Sequence, residues 1–181
     1  MPAVEGSHLE ETLRRLEVLL QRWPHAAAVI GGVAIVARVR PRHTDDVDVV
    51  VVVPSGAGQR FLDLAHELGW TDEPAETKLL LEGGLLHLSP SPGGAAVDFI
   101  FVDSTFLQEV VERSSRLDLG VATLPVVSIE DLLLLKLEAH RPEDIDDILA
   151  IKDVGGLDLD RLRRDAEQLG LLDRLELYLG S

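Results

Sequence analysis

Residues 45–53 read Asp-Asp-Val-Asp-Val-Val-Val-Val-Val. β-branched side chains are stiff at χ1 and suit a pleated strand better than a helix. A valine run with no polar alternation has no face to offer water, so it belongs inside a sheet covered on both sides. The charged end of the segment adds a second constraint. Asp46 and Asp48 stand at i and i+2, so in a strand their side chains leave on one face. Their Cα atoms are then about 6–7 Å apart, at a rise of roughly 3.3 Å per residue. Two carboxylates aimed the same way repel unless a cation or solvent lies between them. In the competing reading the strand begins at Val49 and both aspartates sit in a solvated loop.

The rest of the chain supplies neighbours for that strand. Ser7 and Glu10 have capping-box spacing ahead of a helix over 7–23, with Leu9, Leu13, Leu16, Leu19 and Leu20 on one face and Pro24 beyond its end. Residues 26–30 (Ala-Ala-Ala-Val-Ile) read as a short buried strand closed by Gly31-Gly32, and 33–39 as a short helical or turn-like segment. Ser55 is placed to cap a helix running to Leu68. Residues 77–84 and 85–94 read as strands joined by glycine turns, with a hairpin near 77–90. Residues 95–103 form a further strand, and Asp103 is taken to cap the helix after it. Residues 116–128 are expected to be extended. Helices follow from Ser128, from Pro142 and, as two short ones, from Asp158. The pattern predicts an α/β (α+β) fold, a mixed sheet flanked by helices with a helical C-terminal extension. It predicts one domain over 1–181: the N-terminal helix 7–23, a core about 24–127, and helices about 128–179 packed on that core.

Composition narrows the functions. Thirty-two acidic against 17 basic residues leave a net charge of −15, which repels nucleic-acid backbones unless a local patch or a cation intervenes. Arg38, Arg40 and Arg42 are the nearest basic stripe to the aspartate pair, either a contact for RNA or a solvated loop. With no cysteine, thiolate chemistry and disulfides are excluded. The six histidines lack zinc-site spacing. No apolar run approaches the roughly 18 residues of a membrane span, and the N-terminus does not read as a signal peptide. A cytoplasmic protein with no membrane contact is expected.

Asp98 lies within Ala-Ala-Val-Asp-Phe-Ile-Phe-Val (95–102), where an acid is rarely left unpaired. It either faces the same site from a neighbouring strand or satisfies a buried bond to backbone or arginine. Gly31-Gly32 permits close backbone approach, and N–H groups there can hold a phosphate; a purely structural turn is the competing reading. Neither GxGxxG nor GxxxxGK[ST] occurs, so a dinucleotide fold and a P-loop are not supported.

Together, Val-Ile-Gly-Gly-Val-Ala-Ile, the Asp-Val-Asp pair and the later Asp98 resemble the signature of the nucleotidyltransferase superfamily, the DNA polymerase β-like fold. Arg42-His43-Thr44-Asp45-Asp46-Val47-Asp48 further resembles the R-x-T-x-D-h-D form of small bacterial members, including the AbiEii-type toxin group. The segment 128–148 is similar to that group's helix bearing Lys, then Arg-x-x-Asp-x-x-Asp, which maps Lys136, Arg141, Asp144 and Asp147. The resemblance implies transfer of a nucleoside monophosphate from an NTP to an acceptor hydroxyl. It implies Asp46, Asp48 and Asp98 as catalytic and metal-binding residues for Mg²⁺ (two ions, with Mn²⁺ as a substitute). Gly31, Gly32, Arg42, Thr44 and Lys136 are implied as nucleotide-binding. It leaves the acceptor open among tRNA, a protein hydroxyl and a small molecule, and admits a toxin–antitoxin role with a cognate antitoxin.

The residues keep other readings open. Lys136 in its leucine-rich helix is either a snorkelling surface lysine or a phosphate contact. Arg42 and Thr44 either touch phosphate or brace their loop, and Asp144 and Asp147 are read first as structural acids in the first turns of a helix, with pairing to Arg141 or a reach into the site as the alternatives. A haloacid-dehalogenase-like phosphatase also uses Asp-x-Asp, but there the apolar strand precedes the first aspartate. The non-enzymatic alternative is a silent nucleotidyltransferase-fold protein whose acidic face meets a basic protein partner.

Overall fold

The computed structural model describes residues 7–73, 77 and 81–180. In chain order the elements are α1 (Ser7–Arg22), β1 (Ala27–Ile30), α2 (Gly31–Arg38), β2 (Val47–Val51), α3 (Gly58–Glu67), β3 (Trp70–Thr71), β4 (Leu85–Pro90), β5 (Val97–Phe101), α4 (Thr105–Glu112), β6 (Ser115–Asp118), β7 (Thr123–Val126), α5 (Ile129–Ala139), α6 (Pro142–Val154), α7 (Leu159–Gln168) and α8 (Leu172–Leu179). The strands make one seven-stranded mixed sheet in the order β3-β4-β5-β2-β1-β7-β6.

The valine strand β2 is the middle of the seven. Val47, Val49, Val50 and Val51 are fully buried, as a run without polar alternation requires. β2 pairs antiparallel with β1, Ile30 opposite Asp48, and parallel with β5, Asp48 opposite Asp98. β4 closes antiparallel on β5, His87 opposite Asp98. Because side chains alternate, Phe99, Leu86 and Leu88 face away from Asp98 and are fully buried. Phe61 of α3 and Trp70 meet Phe99 there edge-on, with ring centroids 5.1 and 5.9 Å apart. Leu13, Leu16 and Leu19 of α1, the strands, and Leu132–Leu134, Ile148, Ile151 and Leu162 of the C-terminal helices share one contiguous apolar cluster.

Several local expectations need correction. Thr77, Leu81 and Glu82 are helical, not part of a strand, and β4 pairs instead with β3 and β5; residues 78–80 lie outside the described residues. Trp70–Thr71 occupies the edge of β4 that a 77–84 strand would have filled. Ser55 does not cap α3, whose N-cap is Ala57 without a side-chain bond. Ser104, not Asp103, caps α4, accepting from the Leu107 amide. The Ser7 side chain, with its cap, lies outside what is described. Ser128 and Asp158 do cap α5 and α7, accepting from the amides of Asp131 and Arg161. No helix among the described residues is long and apolar enough to cross a membrane.

Phe99→Ala would empty the centre of the aromatic cluster. We expect a loss of about 3–5 kcal/mol, read as a lower urea midpoint with an unchanged m-value.

Candidate active site

Asp46 ends the loop before β2, Asp48 lies within that strand, and Asp98 sits beside Asp48 on β5. In-register neighbours share a face, so Asp48, Asp98 and then His87 form one cross-strand row. The loop reading of the pair therefore holds for Asp46 only. Across β1, the chain leaves Ile30 into Gly31, at φ +62°, and on into α2. A Cβ on Gly31 would lie 2.0 Å from Asp48 Oδ2, and one on Gly32 would lie 2.3 Å from Thr44 Oγ1. Gly31 is thus required twice over, by its positive φ and by the Asp48 carboxylate that presses on it, and Gly32 by its close approach to Thr44. Ile30, at the N-cap of α2, supplies no side-chain cap, so the first-turn amides there are left for another acceptor.

The eight residues that the resemblance implied as catalytic, metal-binding or nucleotide-binding (Gly31, Gly32, Arg42, Thr44, Asp46, Asp48, Asp98 and Lys136) line one cavity of about 280 Å³, together with Arg141 and Glu143. A more apolar chamber of about 450 Å³ adjoins it, sharing Gly31, Asp48, Lys136 and Arg141 and walled by Ile30, Ile100, Leu132 and Leu135. Burial pushes the Asp48 carboxyl up, and the charges of Asp98 and Asp46 push it further, while Lys136 and Arg141 oppose them. Asp46, Asp48 and Asp98 are the hard oxygen donors that could hold a divalent cation, whose charge would relieve the repulsion that raises Asp48. Among the described residues, no three such groups already stand at mutual ligand spacing.

The cations are tied down. Lys136 is buried rather than snorkelling: its Nζ lies 2.6 Å from Asp144 Oδ1 and 3.0 Å from Asp147 Oδ2. Arg42 Nη1 donates to Asp147 Oδ2 at 2.6 Å, and Arg141 Nε to Asp144 Oδ2 at 3.0 Å. Arg42 therefore braces its loop while lining the cavity, and Thr44 Oγ1 donates to the Asp46 carbonyl at 3.2 Å. Asp144 and Asp147 take structural partners, and these include Lys136 and Arg42 as well as Arg141. The arginine stripe is divided: Arg40 and Arg42 both reach Asp147, with Arg40 Nη2 3.6 Å from Oδ1, and Arg38 points elsewhere. Arg38 turns to the carbonyls of Val126 and Val127 and to Ser115 Oγ, because it ends α2 beside β7. Asp98 is not a buried acid held by backbone or arginine. Its side chain is 41% exposed, and its partner is His87, with Nδ1 to Oδ1 at 2.6 Å. Sequence reading missed His87, although the alternation Leu86-His87-Leu88 was the signal that could have found it.

A family described as "Nucleotidyl transferase of unknown function (DUF2204)" matches residues 9–174 of the chain. No curated protein matches it by sequence. Among solved structures, the lincosamide antibiotic adenylyltransferase LnuA in its lincomycin-bound form superposes with a TM-score of 0.54 at 14% identity, over 83% of this chain and 100% of that one. The solution structure of the antibiotic-resistance factor ANT(2'')-Ia gives 0.57 at 12% identity, over 92% and 96%. An antigenic nucleotidyltransferase-like protein from Paracoccidioides brasiliensis gives 0.50 at 17% identity, over 95% of each chain. At these identities the likeness is one of fold.

Burial alone would push the Asp144 carboxyl up, but hydrogen bonds from Arg141 and Lys136 outweigh it and hold the group below the ordinary range. A carboxyl depressed in the folded state stabilises the fold above its unfolded value of about 3.9, and that contribution is lost as pH falls through the folded value. Asp144→Asn is expected to flatten the stability profile below about pH 4. It should also cost about 3 kcal/mol at pH 7, as one partner leaves a buried pair. Chemical denaturation across pH checks both.

Proposed function

The chain belongs to this nucleotidyl transferase family, and from that premise we propose that it moves a nucleoside monophosphate from an NTP to the hydroxyl of a small-molecule acceptor, with Mg²⁺ as the cation. The observation that supports this reading is the convergence of three carboxylates, a glycine turn and three cationic side chains on one cavity. In the proposed reaction the Gly31-Gly32 amides donate hydrogen bonds to the phosphates, and Arg42, Lys136 and Arg141 supply positive charge around them. Asp46 and Asp48 would hold the cation, with Asp98 as the third carboxylate able to contribute an oxygen to it. When bound, Mg²⁺ neutralises charge developing at the α-phosphate. The acceptor oxygen bonds to the α-phosphorus, the bond to the pyrophosphate oxygen breaks, and the hydroxyl proton passes to the Asp98 carboxylate.

A small acceptor is favoured over RNA on three grounds. The net charge of −15 disfavours phosphate backbones. The adjoining apolar chamber, at about 450 Å³, falls in the size range of small-molecule sites. Two of the structural neighbours are an antibiotic adenylyltransferase and an antibiotic-resistance factor. AbiEii-type membership, with a toxin–antitoxin role, rests on the Arg42–Asp48 and Lys136–Asp147 motifs alone.

Incubation with each α-labelled NTP, Mg²⁺ and either a low-molecular-mass cell extract or total RNA tests the reading. Label is expected in a small compound; label in RNA would overturn the acceptor class. A saturating Mg²⁺–NTP mixture should also raise the melting temperature, with about 2.7 kcal/mol of stabilisation at a hundredfold excess over Kd. Asp46→Ala with Asp48→Ala should abolish that shift. An unchanged shift in the double variant removes the pair as the cation site.

A further inference from the structure

We propose that His87 is a positioning residue for the third carboxylate: its Nδ1–H holds Asp98 Oδ1 and leaves Oδ2 as the oxygen available to the acceptor hydroxyl or a cation. The inference rests on the proposed role of Asp98 and extends it to a side chain outside the cavity lining. A carboxylate accepts hydrogen bonds, so at 2.6 Å the imidazole nitrogen is the donor. The backbone sets the direction of that donor. Leu86 and Leu88 are fully buried on the opposite face, so the pleat sends His87 to the face of Asp98, and the β4–β5 register puts the two opposite each other.

Other imidazole–carboxylate contacts in the protein lack this construction. His43 meets Asp45 within the same loop, and His66 meets Asp72 across a turn. Neither Asp45 nor Asp72 lines the candidate active site. The His87–Asp98 pair joins neighbouring strands, and its acid lines the candidate active site. Asp98 stands between Asp48 on one side of the row and His87 on the other. Lys136 and Arg141 act electrostatically on Asp48. Among the described residues, His87 is the hydrogen-bond partner of Asp98, so it alone anchors a carboxylate that Asp48 repels. Groups that orient a ligand or base in this way govern affinity or turnover by roughly 10–100-fold when removed.

The test compares His87→Leu, which has no donor, with His87→Asn, whose amide nitrogen can occupy the place of Nδ1. In His87→Leu, kcat should fall roughly 10–100-fold with KM for the NTP and the melting temperature essentially unchanged; His87→Asn should recover most of the loss. A second readout needs no turnover. With a non-reacting α,β-methylene NTP present, Mn²⁺ affinity measured from the free-ion electron paramagnetic resonance signal should weaken in His87→Leu and recover in His87→Asn. Asp98→Asn is the reference. If it impairs kcat and Mn²⁺ binding while His87→Leu impairs neither, His87 is a surface partner and the inference is overturned, with the proposed function left standing. If Asp98→Asn has no effect on either readout, the proposed role of Asp98 fails and this inference fails with it.

Discussion

The parallel pairing of β2 with β5 sets Asp48 beside Asp98, and the surrounding features follow from it. β2 lies at the centre of the sheet, hydrogen-bonded on both edges. Valines line both faces of this strand, but a slip of one residue would turn Asp48 to the opposite face and away from Asp98, so the carboxylate specifies the register. The consequence is a carboxylate inside a mostly buried strand, raised by burial and by two neighbouring acids. Gly31 is shaped by the same contact, since any side chain there would meet Asp48 Oδ2. A strand, a glycine turn and a distant acid thus share one steric and electrostatic constraint.

The charge distribution fits that constraint better than the net charge alone suggests. The protein is acidic overall, yet Lys136, Arg141 and Arg42 gather at the edge of the acidic site. They are held by Asp144 and Asp147 of α6, across the short turn at His140, whose φ of 45° lets α6 fold back on α5. A third buried acid, Asp131, accepts from Ser128, Arg113 and Arg161 and ties α4, α5 and α7 together away from the cavity. Buried pairs of this kind are weak evidence for net stability because desolvation offsets much of the attraction. Their geometric effect is definite: they fix where the positive charge of the C-terminal helices stands relative to the three carboxylates.

Much of the site was legible because its residue types are costly elsewhere. Acids at i and i+2 on an apolar strand, an acid inside a second such strand and paired glycines after a third each pointed to one place. Errors came where the sequence signal was local and the deciding force was not. Residues 77–84 carry leucines and a glycine turn that suit a hairpin, yet Trp70–Thr71 pairs with β4 at that edge. Ser55 and Asp103 are good cap types, but the helices start at other turns. The surface reading of Lys136 stayed open beside the phosphate reading because nothing in its leucine-rich helix showed that two aspartates from the next helix would bury it.

The sequence by itself determined that a valine strand would be buried with two carboxylates at one end, that glycines would follow a neighbouring strand, and that helices would begin at Ser128 and Pro142. Side-chain periodicity, β-branching and capping chemistry act over a few residues and can be read from them. Only the tertiary structure decided that Asp98, fifty places beyond Asp48 in the chain, would lie directly beside it. The same holds for His87 meeting Asp98 and for Lys136 turning inward. These are matters of strand order, register and helix docking, which depend on how the whole apolar surface is buried at once.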